Sequence, residues 1–212
     1  MRFHDPNTAI FSCAEAKALA AFASTDADGH KALHSVCIDF ARGAAVATDG
    51  HRLVKSNGAQ SFAGAAQLLV PLPPWQQALK ACAGKKKSGV LVRRDAHDVA
   101  LLAIDAGPYD LMSLGGSGDC ARLTIATILT EPVVDHTFPD YEQVIPELAP
   151  DRAIAHRFGL NPCYLADLHL VAKAAGRSFI EVLPPPDEYS PLVVRAQGYD
   201  GSWLVLIMPT RL

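Results

Sequence analysis

Apolar positions along the chain follow one succession that recurs: a short strand-like run, a stretch with helical spacing, then several strand-like runs. In the first unit Ser12-Cys13-Ala14-Glu15 has the form of a capping box, in which the serine oxygen and the glutamate satisfy amides that a helix start leaves unpaired. The spacing predicts a helix from there to about Ala23. Leu33–Phe40, with partial alternation, Ala44–Thr48 and His51–Lys55 then read as strands. Asp49-Gly50 between the last two is a two-residue hairpin signal, because aspartate and glycine tolerate positive φ.

The succession begins again at Gln67–Val70. Pro73-Pro74 opens the second helix, since proline suits a first turn whose amides have no partner. Trp75, Ala78, Leu79 and Cys82 share its apolar face, Gln76, Gln77 and Lys80 its polar face, and Gly84 ends it before Lys85-Lys86-Lys87. Strands are predicted at Gly89–Arg93, Val99–Ile104 and Leu123–Ile128, the last two separated by the loop Gly115-Gly116-Ser117-Gly118. A third unit has a strand near Ala153–Leu160 and a helix capped by Asn161, with Pro162 in its first turn. Its buried stripe is Tyr164, Leu165, Leu168, Val171, Ala172 and Ala175. Strands follow at Phe179–Leu183, Leu192–Ala196 and Trp203–Ile207, and a proline-rich connector, Thr137–Pro150, precedes this unit.

Composition narrows the classes of function. Half of the 212 residues are apolar and 19% are charged, which allows a sizeable core in one large or two small domains. A formal net charge of −3 argues against a protein that grips nucleic acid over its whole surface, and leaves room for a local basic face. The segment Met1–Pro6 has no apolar signal-peptide core, and no apolar run reaches the roughly 18 residues that span a bilayer. A cytoplasmic protein with no membrane partner is expected. The cysteines Cys13, Cys37, Cys82, Cys120 and Cys163 are scattered and form no Cys-x-x-Cys pair, so they read as reduced, with Cys37, Cys82 and Cys163 as small buried thiols.

Catalytic motifs are weak. Asp49 and His51 could suggest a hydrolytic dyad, but alternate residues in a turn rarely face one substrate and no nucleophile motif accompanies them. Gly115-Gly116-Ser117-Gly118 lacks the Gly-Lys-Ser/Thr ending of a phosphate loop. His30 and His34 stand at a spacing that brings no shared metal on a strand. Pro184-Pro185-Pro186 reads as a stiff strand connection. The expectation is a protein that is not an enzyme and needs neither metal nor cofactor.

Three segments belong together: Ala47-Thr48-Asp49-Gly50-His51-Arg52-Leu53, Phe138-Pro139-Asp140-Tyr141 and Met208-Pro209-Thr210-Arg211-Leu212. They resemble the middle and last domains of the bacterial DNA polymerase III β sliding clamp. The resemblance implies an α+β DNA-clamp fold of repeated β-α-β-β-β units, with helices on one face of antiparallel sheets. Residues 1–137 would form a complete domain of two units, 138–150 the connector and 151–212 half a domain. Relative to the family a first domain and half of the last are absent, and with them the surfaces that close the familiar ring. A half domain leaves an open sheet edge, so two half domains are expected to complete one another between subunits of a homo-oligomer.

The resemblance also implies a groove for short peptides of polymerases, clamp loaders and repair proteins. Leu33, Thr48, Gly50, His51, Arg52 and Leu53 would come from the middle domain, Pro139 and Val144 from the connector, and Pro191, Leu206, Ile207, Met208 and Pro209 from the last unit. Residues carried over as facing double-stranded DNA, without sequence reading, are Lys17, His30, Lys31, Lys80, Lys85, Lys86, Lys87, Lys173 and Arg177. The leading function is a processivity factor for DNA replication or repair that encircles DNA as an oligomer. The alternative is a non-ring peptide-binding module that competes for, or adapts, clamp-binding partners.

Overall fold

The computed structural model describes residues 2–26, 29–58, 60–83, 88–95, 98–105, 124–132, 136–146, 158–187, 189–198 and 201–210. Strands β1 (Arg2–Asp5) and β2 (Thr8–Ser12) lead into helix α1 (Cys13–Phe22), followed by β3 (Ser35–Asp39), β4 (Ala44–Thr48) and β5 (Arg52–Asn57). The second unit is β6 (Gln67–Pro71), α2 (Leu72–Cys82), β7 (Ser88–Arg94), β8 (Asp98–Asp105) and β9 (Thr124–Pro132). A 3-10 turn at Tyr141–Val144 lies in the connector. The third unit holds α3 (Pro162–Ala166), α4 (Leu168–Ala174), β10 (Glu181–Leu183), β11 (Leu192–Gln197) and β12 (Ser202–Ile207).

Local chemistry explains the helix starts. Ser12 Oγ accepts from the Glu15 amide at 3.3 Å while the Glu15 carboxylate accepts from the Ser12 amide at 2.8 Å, so the predicted capping box is closed in both directions. α2 opens with no side-chain cap, and proline in its first turn removes donors that would otherwise lack partners. Asn161 caps α3 through the Cys163 amide at 3.0 Å.

The third helix departs from expectation. It is two short helices broken at Asp167, and the break changes the phase of the apolar stripe: Leu168, Val171 and Ala175 are buried, whereas Leu165 is 43% exposed. Cys163, expected to be buried, is exposed in α3, while Cys37 and Cys82 lie in the core. β1 was not anticipated, and β3 begins at Ser35 because Leu33 and His34 belong to the preceding turn. The β4–β5 hairpin tip is Gly50-His51, not Asp49-Gly50. Asp49 sits at the corner, its amide reaching the Arg52 carbonyl at 3.3 Å. Cys120, Gly84 with Lys85-Lys86-Lys87, the loop Gly115–Gly118 and most of the Ala153–Leu160 strand fall outside the described residues.

Two antiparallel sheets carry the fold. One runs β1-β2-β7-β8-β9 and the other β10-β11-β12-β5-β4-β3-β6. The first two units exchange their leading strands, β2 pairing with β7 and β6 with β3. The third unit adds to the first unit's sheet through β12, which pairs with β5 from Trp203↔Ser56 to Ile207↔Arg52. The helices cover one face, with α1 in contact with both α2 and α4. Beneath them Phe11, Leu19, Phe22, Ile38, Trp75 and Val205 form the main core. Trp75 buries its indole edge-on to Phe11 and donates Nε1–H to the Ala16 carbonyl at 2.9 Å, so its polar atom is satisfied. No helix among the described residues is long and apolar enough to cross a membrane.

On the opposite face of the seven-stranded sheet a second cluster, including Cys37, Val46, Leu53, Leu69, Val193 and Leu206, is roofed by Phe138 and Tyr141 of the connector. The sheet is therefore buried on both faces over β3, β4, β5 and β12. That explains why its strands read as apolar runs with only partial alternation.

Two glycines separate local strain from packing. Gly50 has φ +90° with open space around it, whereas a Cβ on Gly201 (φ +154°) would stand 1.7 Å from the Asn57 carbonyl oxygen at the end of β5. Gly50→Ala is expected to cost about 1–2 kcal/mol from backbone strain alone. Gly201→Ala adds overpacking at the β5–β12 junction and is expected to cost about 3 kcal/mol in all. Urea denaturation midpoints of the two variants check the order, and equal losses would show that the junction does not depend on this close approach.

Candidate functional site

A cavity of about 460 Å³ opens where the β4–β5 hairpin, the connector and the end of β12 meet. Its floor is the cross-strand pair Leu53 and Leu206, each nearly inaccessible. Val144 and Met208, 54% and 44% exposed, form the rims, and Leu33, Thr48, Gly50, His51, Arg52, Pro139 and Pro191 complete the walls with Phe138, Asp140 and Tyr141. The lining is largely apolar, so the site suits aliphatic and aromatic side chains.

Side-chain bonds fix the hairpin, and one backbone bond ties it to the end of β12. Thr48 Oγ1 donates to the Arg52 carbonyl at 2.7 Å and accepts from the Gly50 amide at 3.1 Å, which fixes the hairpin from within. Asp49 Oδ1 accepts from the amides of His51 and Arg52 at 2.9 and 3.0 Å. The Met208 amide then donates to the His51 carbonyl at 2.9 Å, pinning the chain beyond β12 to the hairpin tip. Asp49 thus gives one carboxylate oxygen to the hairpin amides and the other to Arg52.

Two predicted lining residues fall elsewhere. Ile207 is fully buried in the core under the helices, because neighbours on a strand point to opposite faces and Leu206 takes the cavity side. Pro209, half-buried, follows Met208 without reaching the cavity. Phe138, Asp140 and Tyr141 were missed as lining residues, although the Phe-Pro-Asp-Tyr motif already marked them.

Arg52 lines the cavity, but its guanidinium points into the protein. It donates to Asp167 at 2.6 Å, to Asp49 at 3.0 Å and to the Ala21 carbonyl at 2.7 Å, and it lies 4.7 Å from the ring centroids of both Phe22 and Tyr164. Burial alone would lower its pKa; the bonds to Asp167 and Asp49 outweigh burial and raise it, so the charge is held. Arg52 thus joins the end of α1, the hairpin and the α3–α4 break.

Asp39 holds the connector in the same way. Its side chain is almost wholly buried, and its carboxylate accepts from the Arg42 guanidinium at 3.0 Å, Gln67 Nε2 at 2.9 Å and the Tyr141 hydroxyl at 3.0 Å. Burial pushes its pKa up, and the bonds from Gln67, Arg42 and Tyr141 more than reverse this, leaving the carboxyl below its ordinary value. Burial, then the Asp39 charge, pushes the Tyr141 hydroxyl up, so it stays protonated and donates. Lys55 pairs with Glu142 at 2.6 Å and lies 5.4 Å from the Tyr141 ring centroid, with Arg42 at 5.5 Å.

The residues predicted to face DNA are partly grouped. Lys17, Lys80 and Lys173 are exposed, one on each of the neighbouring helices α1, α2 and α4. His30 and Lys31 are exposed before β3 and line a smaller hollow of about 320 Å³ with His136. Arg177 is half-buried and donates Nε–H to the Gln197 carbonyl at 2.6 Å, so part of its donor set secures the end of β11. Lys85, Lys86 and Lys87 lie outside the described residues.

No family model and no curated protein matches the sequence. Solved structures do match the fold. The DNA polymerase III β subunit of Thermotoga maritima is 17% identical, and the match covers all of this chain and 67% of that one, with a TM-score of 0.62. The β clamp of Helicobacter pylori, solved with carprofen, is 12% identical over 100% of this chain and 69% of its own, with a TM-score of 0.65. A Pseudomonas aeruginosa sliding clamp bound to griselimycin is 17% identical over 100% and 68%, with a TM-score of 0.58. This chain has the α+β fold of the β sliding clamps and spans about two thirds of their length.

Asp39 makes the connector acid-sensitive. Its folded pKa lies below the unfolded value of about 3.9, so its contribution is complete above that pH and is lost as pH falls through the folded pKa. Asp39→Asn is expected to cost about 1.5–3 kcal/mol at pH 7, the range for hydrogen bonds to a charged group. The difference from wild type should shrink steadily below about pH 4. Denaturation of both proteins from pH 3 to 7 checks this, and a gap independent of pH would remove the carboxylate from the account.

Proposed function

We propose that this protein is a sliding-clamp-like processivity factor for DNA replication or repair, binding short peptides of polymerases and their accessory proteins in the cavity between hairpin, connector and β12. The observation that carries the reading is the convergence of three sequence-distant segments on one apolar cavity with a buried floor and exposed rims. A peptide's leucine or aromatic side chain would settle on Leu53 and Leu206, with Val144 and Met208 closing over it. Met208 is unbranched and can reshape around different partners. In this reading the chain divides at the connector, with 1–137 as a two-unit domain and 151–212 as half of another.

Encirclement of duplex DNA by a homo-oligomer belongs to the same proposal. The exposed lysines of α1, α2 and α4 supply positive charge on the helix layer, attracting phosphates without reading bases. The reaction chemistry is left to the bound partner, and the protein itself works in the cytoplasm as a non-enzymatic tether. The net charge of −3 favours a second reading, a peptide-binding module that forms no ring and competes for clamp-binding partners. Retention on circular but not linearised DNA separates the two, since only a closed ring is released by free ends.

Met208→Ala tests the groove without disturbing the core, because Met208 is 44% exposed. Affinity for a short peptide carrying leucine and phenylalanine, read by fluorescence anisotropy, is expected to fall roughly tenfold, equivalent to about 1.4 kcal/mol of lost apolar contact. Unchanged affinity would sink the groove assignment.

A further inference from the structure

The pairing of β2 with β7 sets Ser12 opposite Gly89, and this register brings two cysteines that are distant in sequence to one spot. Cys13, the first residue of α1, stands with its Sγ 3.2 Å from Ser88 Oγ. Cys82, the last residue of α2, has its Sγ 3.1 Å from the Gly89 carbonyl oxygen, and Ser88 Oγ donates to the Cys82 carbonyl at 2.9 Å. The two side chains hydrogen-bond to each other across this junction.

Their surroundings divide the labour between them. Cys13 is half-buried, whereas Cys82 is 2% exposed in the main core. Hydrogen bonding with Cys82 lowers the Cys13 pKa to about 6 against the opposing effect of burial, with help from Ser88 and from Lys17 one turn along α1. The unpaired amides of a helix start favour the thiolate in the same way. Glu15, the acidic residue of that turn, directs its carboxylate to the Ser12 amide. Cys82 is pushed up by its bond with Cys13 and by burial, so it keeps its proton.

We propose that Cys13 and Cys82 form a peroxide-sensitive thiol pair, in which half-buried Cys13 is oxidised first and buried Cys82 closes a reversible disulfide with it. The Cys13 thiolate attacks one oxygen of a hydroperoxide and breaks the O–O bond. That oxygen becomes the sulfenic hydroxyl, and the other leaves as hydroxide and takes up a proton to become water or an alcohol. The Cys82 sulfur then attacks the Cys13 sulfur. The S–S bond forms, the S–O bond breaks, and the hydroxyl leaves with the Cys82 proton as water. The peroxide gains two electrons and the two thiols lose them. In the cytoplasm, where the proposed function puts the protein, a disulfide of this kind is transient and serves sensing. It would join the start of α1 to the end of α2, where the first two units exchange strands. Cys82 belongs to the core under the helices and the Leu53–Leu206 floor to the opposite cluster, so the proposal does not rest on the peptide or DNA reading.

Thiol mapping of the full chain tests it. The reduced protein is treated with hydrogen peroxide, remaining thiols are blocked with N-ethylmaleimide, and peptides are mapped by mass spectrometry without reductant. The main oxidised product is expected to be the Cys13 peptide linked to the Cys82 peptide, with both thiols recovered after dithiothreitol. Cys82→Ser is expected to hold Cys13 as a sulfenic acid that dimedone traps, and Cys13→Ser to leave Cys82 reduced. Circular dichroism establishes that both variants are folded, and the mapping of the wild type needs no substitution. Oxidation of Cys13 to the sulfinic acid without a link to Cys82 overturns the proposal, as does a link from Cys13 to another cysteine. A Cys13–Cys82 link that forms only in urea overturns it too, since the folded junction would then play no part.

Discussion

The antiparallel pairing of β5 with β12 joins the last strand of the first unit to the last strand of the third, and most of what distinguishes this molecule follows from that contact. It makes one seven-stranded sheet out of two separate runs of chain. It sets Leu53 opposite Leu206, which creates the cavity floor, and it places the end of β12 where the Met208 amide can reach the hairpin tip. Closing so long a loop costs conformational entropy that grows only slowly with length. A ladder of backbone bonds and a sheet buried on both faces offset it.

Two charged hydrogen-bond networks then fix what the ladder leaves free. Arg52 gathers Asp49, Asp167 and the Ala21 carbonyl between two aromatic rings, holding the third unit's helices against α1. Asp39 gathers Arg42, Gln67 and Tyr141, holding the connector over the other face. Buried ion pairs give uncertain net stability because desolvation opposes attraction. Their value here is positional, since each gathers residues from separate elements around one nearly buried group, the Arg52 guanidinium or the Asp39 carboxylate. The break between α3 and α4 falls at Asp167, the residue that pairs with Arg52.

The cavity is consequently preformed in its floor and adjustable at its rims. Leu53 and Leu206 are locked by strand pairing, so a ligand would not have to order them, and the cost of binding falls on exposed Val144 and Met208.

Much of this was legible along the chain. The Ser12–Glu15 capping box, the proline-led start of α2 and β4 at Ala44–Thr48 are local, governed by residues within a few positions of each other. The segments that line the cavity could be named from the family resemblance that three short motifs carry. The sequence could not reveal that Ile207 turns away from the cavity while Leu206 faces it, because both are apolar and the sheet is buried on both faces, which erases the alternation that would tell them apart. Nor could it show that Arg52 spends its charge inside, since Asp167 reaches it only after the third unit has docked. Local hydrogen bonding and periodicity determined the elements. Tertiary pairing decided which face each residue met, because only the assembled sheet fixes register and burial.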